Sequence, residues 1–450
     1  MKQHSQRLGF KSNLGAIAAL AGSAIGLGNI WKFPYMAGVN GGGAFLIVYI
    51  LFILGIGLPL MLSESLLGRH TQQNILGTYK TLAPGTSWKL FGLLSIIGVS
   101  FILAFYGTIS AWTLEYLQLA LTNSFEGKST SELNEIYNNL ISHPYKSVLW
   151  HIGFMILTGF IILGGIQKGI EKASKIMMPL LLIIIIILCI NSLTLPNSEK
   201  GLRFLFYPKL SDLTHQSILA ALGQSFFSLS VGMGSILTYS SYISKKDNLL
   251  HTSLKVITAD TLVAILAGIA ILPAVFSFNI NPEAGPGLAF LTLPKIFQNL
   301  PAGEIWAILF FILLTFAALT SAISLLEVSV SYLVEEKKIK RTPATLIATC
   351  IITFLGSFCT LSFGPLREMQ LFGLNLFEVL DYLCSNILLP VGGILLSIFT
   401  GWYLDKSILY RELSNEGSLK IRFFKTYIFI LRYIAPACIG MVLLHSTGIL

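Results

Sequence analysis

The chain has 450 residues, of which 54% are hydrophobic and only 11% charged, with a mean hydropathy of +0.75. A water-soluble domain carries about 25% charged residues, so a soluble enzyme or scaffold is excluded and a polytopic helical membrane protein is expected. The net charge of +9 does not point to nucleic acid, because 22 of the 30 lysines and arginines fall on the side that carries the N-terminus. That asymmetry places the N-terminus in the cytoplasm and the C-terminus outside.

Hydropathy predicts eleven spans, at 13–35, 43–68, 88–122, 148–165, 172–194, 217–243, 253–279, 304–334, 343–363, 373–401 and 424–447. They divide into a cytoplasmic segment (1–12), a first repeat of five spans (13–194), an extracytoplasmic loop (195–216), a second repeat of five (217–401) and a loop with a last span (402–450). The first span has no small-residue cleavage site after it, so it reads as an uncleaved helix and not a signal peptide.

Span 1 is broken at its middle, Ala21-Gly22-Ser23-Ala24-Ile25-Gly26-Leu27-Gly28-Asn29. Weak helix formers at that depth leave backbone groups unpaired, which is tolerated only where they are buried in protein or line a cavity. Span 2 carries an acid, Glu64, away from any break, and it reads as a structural pair or water-linked group. Span 6 repeats the pattern of span 1 in Ser228-Leu229-Ser230-Val231-Gly232-Met233-Gly234-Ser235. Glycine and serine also serve close helix packing. Two breaks five spans apart, each with polar side chains, instead favour a binding site in an inverted-repeat transporter.

Span 7 holds Asp260, an intramembrane acid and therefore a functional candidate; Lys255 nearby leaves a position close to the helix end as the competing reading. The loop 280–303 reads as a re-entrant hairpin. Span 8 brings Thr320 and Ser321, and further along Glu327, which reads as a structural pair. Single membrane-helix hydroxyls commonly bond their own backbone, whereas five or six converging oxygens are what a sodium ion requires. The five cysteines have no metal-ligand spacing and read as small buried hydrophobes. The seven histidines all fall in loops or near span ends, so no catalytic or metal cluster is expected.

The stretch from Asn13 to Arg69 resembles the opening of the neurotransmitter:sodium symporter family. It carries Gly26-Leu27-Gly28-Asn29-Ile30-Trp31-Lys32-Phe33-Pro34-Tyr35, Asn40-Gly41-Gly42-Gly43-Ala44-Phe45, and Pro59-Leu60 before Glu64. The resemblance covers essentially the whole chain. It implies an all-α fold of two inverted five-helix repeats with spans 1 and 6 unwound. It further implies a sodium-coupled symporter importing a neutral hydrophobic or aromatic amino acid, not an enzyme, in a bacterial inner membrane, with no organic cofactor.

The resemblance also assigns residues. One sodium site would use Ala24, Asn29, Ser228, Asp260 and the substrate carboxylate. The second would use Gly22, Ile25, Ala317, Thr320 and Ser321. The substrate carboxylate would meet the Leu27 and Gly28 amides and the Tyr106 hydroxyl. Its side chain would lie among Ser23, Ile102, Phe227, Ser230, Met233, Ser321 and Leu325, with Met233 as a flexible wall. Tyr106 and Phe227 would form the lid, Lys32 and Asp381 a pair above it, and Arg7 and Glu335 a pair on the cytoplasmic side. Lys32 stands where the family usually has arginine, and Phe10 where it usually has tryptophan. Gly169 and Pro179 in span 5 would let that helix unwind. Asp260 would supply the negative charge that chloride provides elsewhere in the family, making transport chloride-independent, although Tyr49, Gln224 and Ser228 match groups around the family's chloride.

Other classes fit less well. A channel would show a continuous polar pore or a repeated filter ring, and a membrane enzyme a nucleophile with its base or a metal cluster. The nearer rival is a proton-coupled amino-acid carrier of the same fold, which has less need of Asn29, Thr320 and Ser321 together.

Overall fold

The computed structural model describes residues 9–278 and 288–449. Among these, nine helices are long and apolar enough to cross a membrane: Gly43–Thr71, Trp88–Leu121, Pro144–Leu163, Ile166–Leu193, Leu249–Ser277, Gly303–Glu335, Arg341–Leu361, Leu376–Tyr403 and Phe424–Ser446. They correspond to spans 2–5 and 7–11. Span 1 is the pair Asn13–Ala24 and Gly28–Val39, bent by 54°. Span 6 is His215–Leu229 followed, after a non-helical stretch, by Ser235–Ser240. Both breaks fall where glycine, serine and asparagine cluster in the sequence.

Five turns of widened helix share one cause. The π-turns at Gly28–Lys32, Ile53–Gly57, Leu288–Thr292, Leu383–Leu388 and Ile430–Ile434 each end two residues before a proline: Pro34, Pro59, Pro294, Pro390 and Pro436. A proline ring inside a helix clashes with the carbonyl four residues back and offers no N–H. Widening the preceding turn relieves both.

Span 8 is the centre of the bundle, 78% buried across its apolar window against 28% for span 11. It packs on span 3, and span 1 lies among spans 5, 7 and 8. Span 2 runs against the second half of span 6 so closely that a Cβ at Gly68 would lie 2.1 Å from the Leu237 carbonyl oxygen. Only glycine permits that approach.

Residues 279–287 of the expected re-entrant loop lie outside the described residues. The remainder does fold back: Phe290 is buried among the rings of Trp31, Trp112, Tyr116, Tyr137 and Phe311. Short helices between the spans, such as Ile75–Leu82, Thr130–Ser142, Ser198–Phe206 and Lys406–Leu413, carry no membrane signal and were not expected. His151, expected near the end of span 4, is in fact fully buried, because that helix starts earlier, at Pro144. Its ring lies against Gly107 and Gly356, where a Cβ would come within 2.7 and 2.5 Å of it.

A clamp closes one end of the bundle. Arg69, at the end of span 2, donates through Nε to Glu412 Oε2 at 2.8 Å and bonds the Asp247 and Glu412 carbonyls. Glu412 also meets His70 Nδ1 at 2.9 Å. Burial alone would raise the Glu412 carboxyl, but the His70 hydrogen bond and the Arg69 charge outweigh it and hold it below the ordinary glutamate range. A carboxyl lowered by folding contributes stability above its unfolded pKa, and that contribution is lost as pH falls through the folded value. Glu412→Gln should therefore destabilise the protein by about 3–5 kcal/mol at neutral pH, the scale of a broken buried pair. In thermal unfolding of the purified protein, the gap from wild type should narrow as the pH drops below the glutamate range. A pH-independent gap would contradict this account.

Candidate functional site

The two breaks face each other. Span 1 leaves the helix at Ile25, whose backbone is extended (φ −72°, ψ 106°). Span 6 leaves it at Ser230, in the left-handed region (φ 52°), and resumes after Gly232 (φ 96°) and Gly234 (φ 78°). The freed amides of span 6 are collected by Glu64. Its carboxylate, 2% exposed, accepts from Gly232 N at 2.7 Å, Gly234 N at 3.3 Å and Leu237 N at 3.1 Å. The Gly234 and Leu237 amides are among the donors that a helix start leaves without partners, the Gly232 amide belongs to the non-helical stretch before it, and an anion there gains from the helix dipole. Glu64 therefore serves a helix break from a neighbouring span, and neither a paired cation nor a water is needed to account for it.

Between the breaks lies a cavity of about 60 Å³. It is lined by Ala24, Gly26, Leu27, Gly28 and Asn29 of span 1, Ile102, Phe105 and Tyr106 of span 3, Phe227, Ser228, Ser230, Met233 and Ser235 of span 6, Ser321 and Leu325 of span 8, and Ser385 and Leu389 of span 10. None of these side chains is charged. The Leu27 amide donates to the Tyr106 hydroxyl at 3.4 Å. Of the side chains expected to line the cavity, Ser23 is the exception: its hydroxyl points at span 8 and bonds Ser324 Oγ at 2.9 Å, while its carbonyl accepts from Ser230. Helical rotation by one residue separates it from Ala24, which does line the cavity. Gly26, Phe105, Ser235, Ser385 and Leu389 were missed. Ser385 lies within the π-turn Leu383–Leu388 and Leu389 follows it, so Pro390 is the local sequence signal for that face.

Beside the cavity Asp260, 0% exposed, sits well inside span 7 and not at its end. Asn29 Nδ2 donates to Asp260 Oδ1 at 2.7 Å and to Ser228 Oγ at 3.0 Å, and Ser228 Oγ donates to Asp260 Oδ2 at 2.8 Å. Tyr49 donates to Ser228 at 3.1 Å, and Gln224 Nε2 to the Gly28 carbonyl at 3.1 Å. A second oxygen cluster joins spans 1 and 8. The Thr320 and Ser321 hydroxyls approach the Ile25 carbonyl at 3.5 and 3.4 Å, Thr320 also bonds Ala317 O at 3.1 Å, and Gly22 lies against the Thr320 side chain. Carbonyls and hydroxyls with one buried carboxylate are the oxygen donors a hard cation takes.

The expected gates divide. Lys32 and Asp381 are not in direct ion-pair contact, although Asp381 is near enough to act on the ammonium through its charge: Lys32 Nζ lies 4.0 Å from the centroid of the Phe227 ring, and Asp381 accepts from Ser385 at 2.8 Å. A desolvated ammonium over an aromatic face gains cation–π attraction, and the π-turn before Pro34 carries Lys32 over that ring. Arg7 lies outside the described residues. Glu335 accepts from the Asn74 amide at 2.6 Å and its side chain at 2.9 Å. Phe10 packs edge-on against Tyr239 and Tyr242, and its amide bonds the Tyr242 carbonyl at 3.0 Å. Glu327 accepts from both terminal nitrogens of Arg341 and from the Tyr242 hydroxyl. Gly169 falls within the π-turn Ile166–Glu171 of span 5, and Pro179 lies further along the same helix.

Replacing Glu64 by glutamine leaves one acceptor oxygen and puts donors where amides already point. Glu64→Gln is expected to weaken ligand binding at the cavity at least tenfold, about 1.4 kcal/mol, and to lower the unfolding temperature. Ligand titration by scintillation proximity would check it. Unchanged affinity would mean the break holds its shape without the carboxylate.

The profile of the sodium:neurotransmitter symporter family matches residues 7–140 and 141–449. The chain is 40% identical to the sodium-dependent transporter YhdH of Bacillus subtilis, over 98% of this chain and 97% of that protein. It is 26% identical to the sodium- and chloride-dependent GABA transporter 2 of Rattus norvegicus, over 89% and 73%. The crystal structure of MhsT in complex with L-phenylalanine superposes with a TM-score of 0.90 at 43% identity, covering 98% of this chain and all of that one.

Proposed function

Since the chain belongs to the sodium:neurotransmitter symporter family, we propose that it imports a neutral hydrophobic or aromatic L-amino acid with sodium by alternating access. The observation that carries this reading is the uncharged cavity between two helix breaks, with the buried Asp260–Asn29–Ser228 cluster beside it. The L-phenylalanine held by MhsT, a protein of the same fold, supports the substrate class. The substrate carboxylate meets the Leu27 and Gly28 amides and the Tyr106 hydroxyl, since amides at a half-helix start attract an anion. Its side chain faces Ile102, Phe227, Met233 and Leu325.

Sodium travels as a second substrate at two places: Ala24, Asn29, Ser228 and Asp260 with the amino-acid carboxylate, and Gly22, Ile25, Ala317, Thr320 and Ser321. At the first place ion and amino acid share contacts, so each raises the other's affinity by the same factor. Each sodium entering supplies about 2.3 kcal/mol per 100 mV of membrane potential, in addition to its gradient. Asp260 provides a fixed negative charge beside Tyr49 and Ser228, so chloride is not required. The distribution of basic residues supports a cytoplasmic N-terminus in a bacterial cell, and entry and exit follow from that orientation. Span 5 opens the cytoplasmic side by unwinding between Gly169 and Pro179.

Reconstituted into liposomes, the protein should accumulate one or more radiolabelled hydrophobic amino acids under an inward sodium gradient and not with potassium in its place. Thr320→Ala should raise the sodium concentration for half-maximal uptake about tenfold, consistent with loss of one hydroxyl ligand. Accumulation driven by a proton gradient without sodium would instead establish the proton-coupled carrier. Replacing chloride by gluconate should leave uptake unchanged; loss of uptake would refute the role given to Asp260.

A further inference from the structure

The cavity wall at Met233 has an unusual backing. Met233 lies between Gly232 and Gly234 in the non-helical stretch of span 6 and is 3% exposed. Behind its thioether is Gly98 of span 3, one turn before Ile102. A Cβ at Gly98 would lie 3.0 Å from Met233 Sδ and 3.3 Å from its Cε. The missing methyl leaves a notch into which the tip of Met233 fits.

The backbone around Met233 has little freedom. Glu64 holds the Gly232 and Gly234 amides. On the other side span 10 crosses closely: a Cβ on Gly392 would lie 2.2 Å from the Gly232 carbonyl oxygen. The notch itself is bordered by span 10, with Leu388 3.6 Å from the Cβ position at Gly98 and Cys384 Sγ 3.9 Å from the Gly98 carbonyl. Pinned on both sides, this segment adapts through the Met233 side chain, and methionine has three rotatable bonds with which to do so. Space taken from the notch is returned to the cavity, which Met233 lines.

We propose that Gly98 is a specificity-determining position: by receiving the end of Met233, it gives the cavity the depth that an aromatic amino-acid side chain needs. Gly98 lines no part of the cavity itself and acts through Met233. The inference rests on the amino-acid symporter reading above.

The test is sodium-driven uptake of L-phenylalanine, L-tryptophan and L-leucine by reconstituted wild type and Gly98→Ala. A methyl in the notch displaces the thioether by a few tenths of an ångström, and since a whole methylene in a hydrophobic pocket discriminates about 10- to 200-fold, the effect falls at the low end of that range. The expected result is at least a tenfold shift in half-saturating concentration against the aromatic substrates relative to leucine. Adding Met233→Ala to Gly98→Ala should relieve that shift, since the displaced atoms are gone; non-additivity of this kind is the mark of direct contact. Met233→Leu, whose branched end is too wide for the notch, should shift selectivity the same way, and it keeps the test open if Gly98→Ala does not fold. An equal loss for all substrates, no shift, or a shift that Met233→Ala does not relieve would overturn the proposal. Wild type that transports none of these amino acids would instead refute the symporter reading.

Discussion

The arrangement depends on one carboxylate. Breaking a membrane helix at mid-depth exposes amides that lipid cannot satisfy, and each such group is expensive to leave unpaired. Glu64 answers for three of them in span 6. With its donors satisfied from span 2, span 6 can present Ser228 and Ser230 to the neighbouring spans and still resume as a helix at Ser235. The close seat of span 2, allowed by Gly68, brings the acid within reach. The span 1 break is secured differently, through Asn29, which accepts from its own Gly26 amide at 3.1 Å while donating to Asp260 and Ser228. One break is held by a charge from another helix and the other by a side chain within the break.

These two solutions separate support from exchange. The Glu64 bonds lie away from the cavity and have no reason to change when it fills. In the Asn29–Ser228–Asp260 bonds the Asn29 amide nitrogen donates to the Ser228 and Asp260 oxygens that would face a cation, so these are the bonds a ligand would rearrange. Such a division suits a site that must be remade in each cycle without unravelling the helices that carry it.

Much of this was legible in the sequence, for physical reasons. The span 1 and span 6 breaks announce themselves because glycine, serine and asparagine are poor residues for a lipid-embedded helix, and Asp260 because an acid is costly there. What escaped notice involves partners that leave no pattern. Glu64 binds backbone amides, which have no sequence identity. Lys32 rests on the face of Phe227, with the expected carboxylate of Asp381 acting on it from beyond direct contact. Ser23 and Ala24 differ by one step of helical rotation, and only three-dimensional packing decides which of them meets the cavity. His151 was misplaced because span 4 begins before its hydropathy does.

The widened turns carry a consequence for how these helices are numbered. An α-helix advances about 100° per residue, and a π-turn inserts an extra residue into that progression. Beyond Gly57, Leu388 and Ile434, the residues on a given face are therefore out of phase with those before it. A stripe that follows one spacing up to the turn continues beyond it with its count displaced. Pro59, Pro390 and Pro436 act as bookmarks for that displacement: each marks where one helical register ends and the next begins.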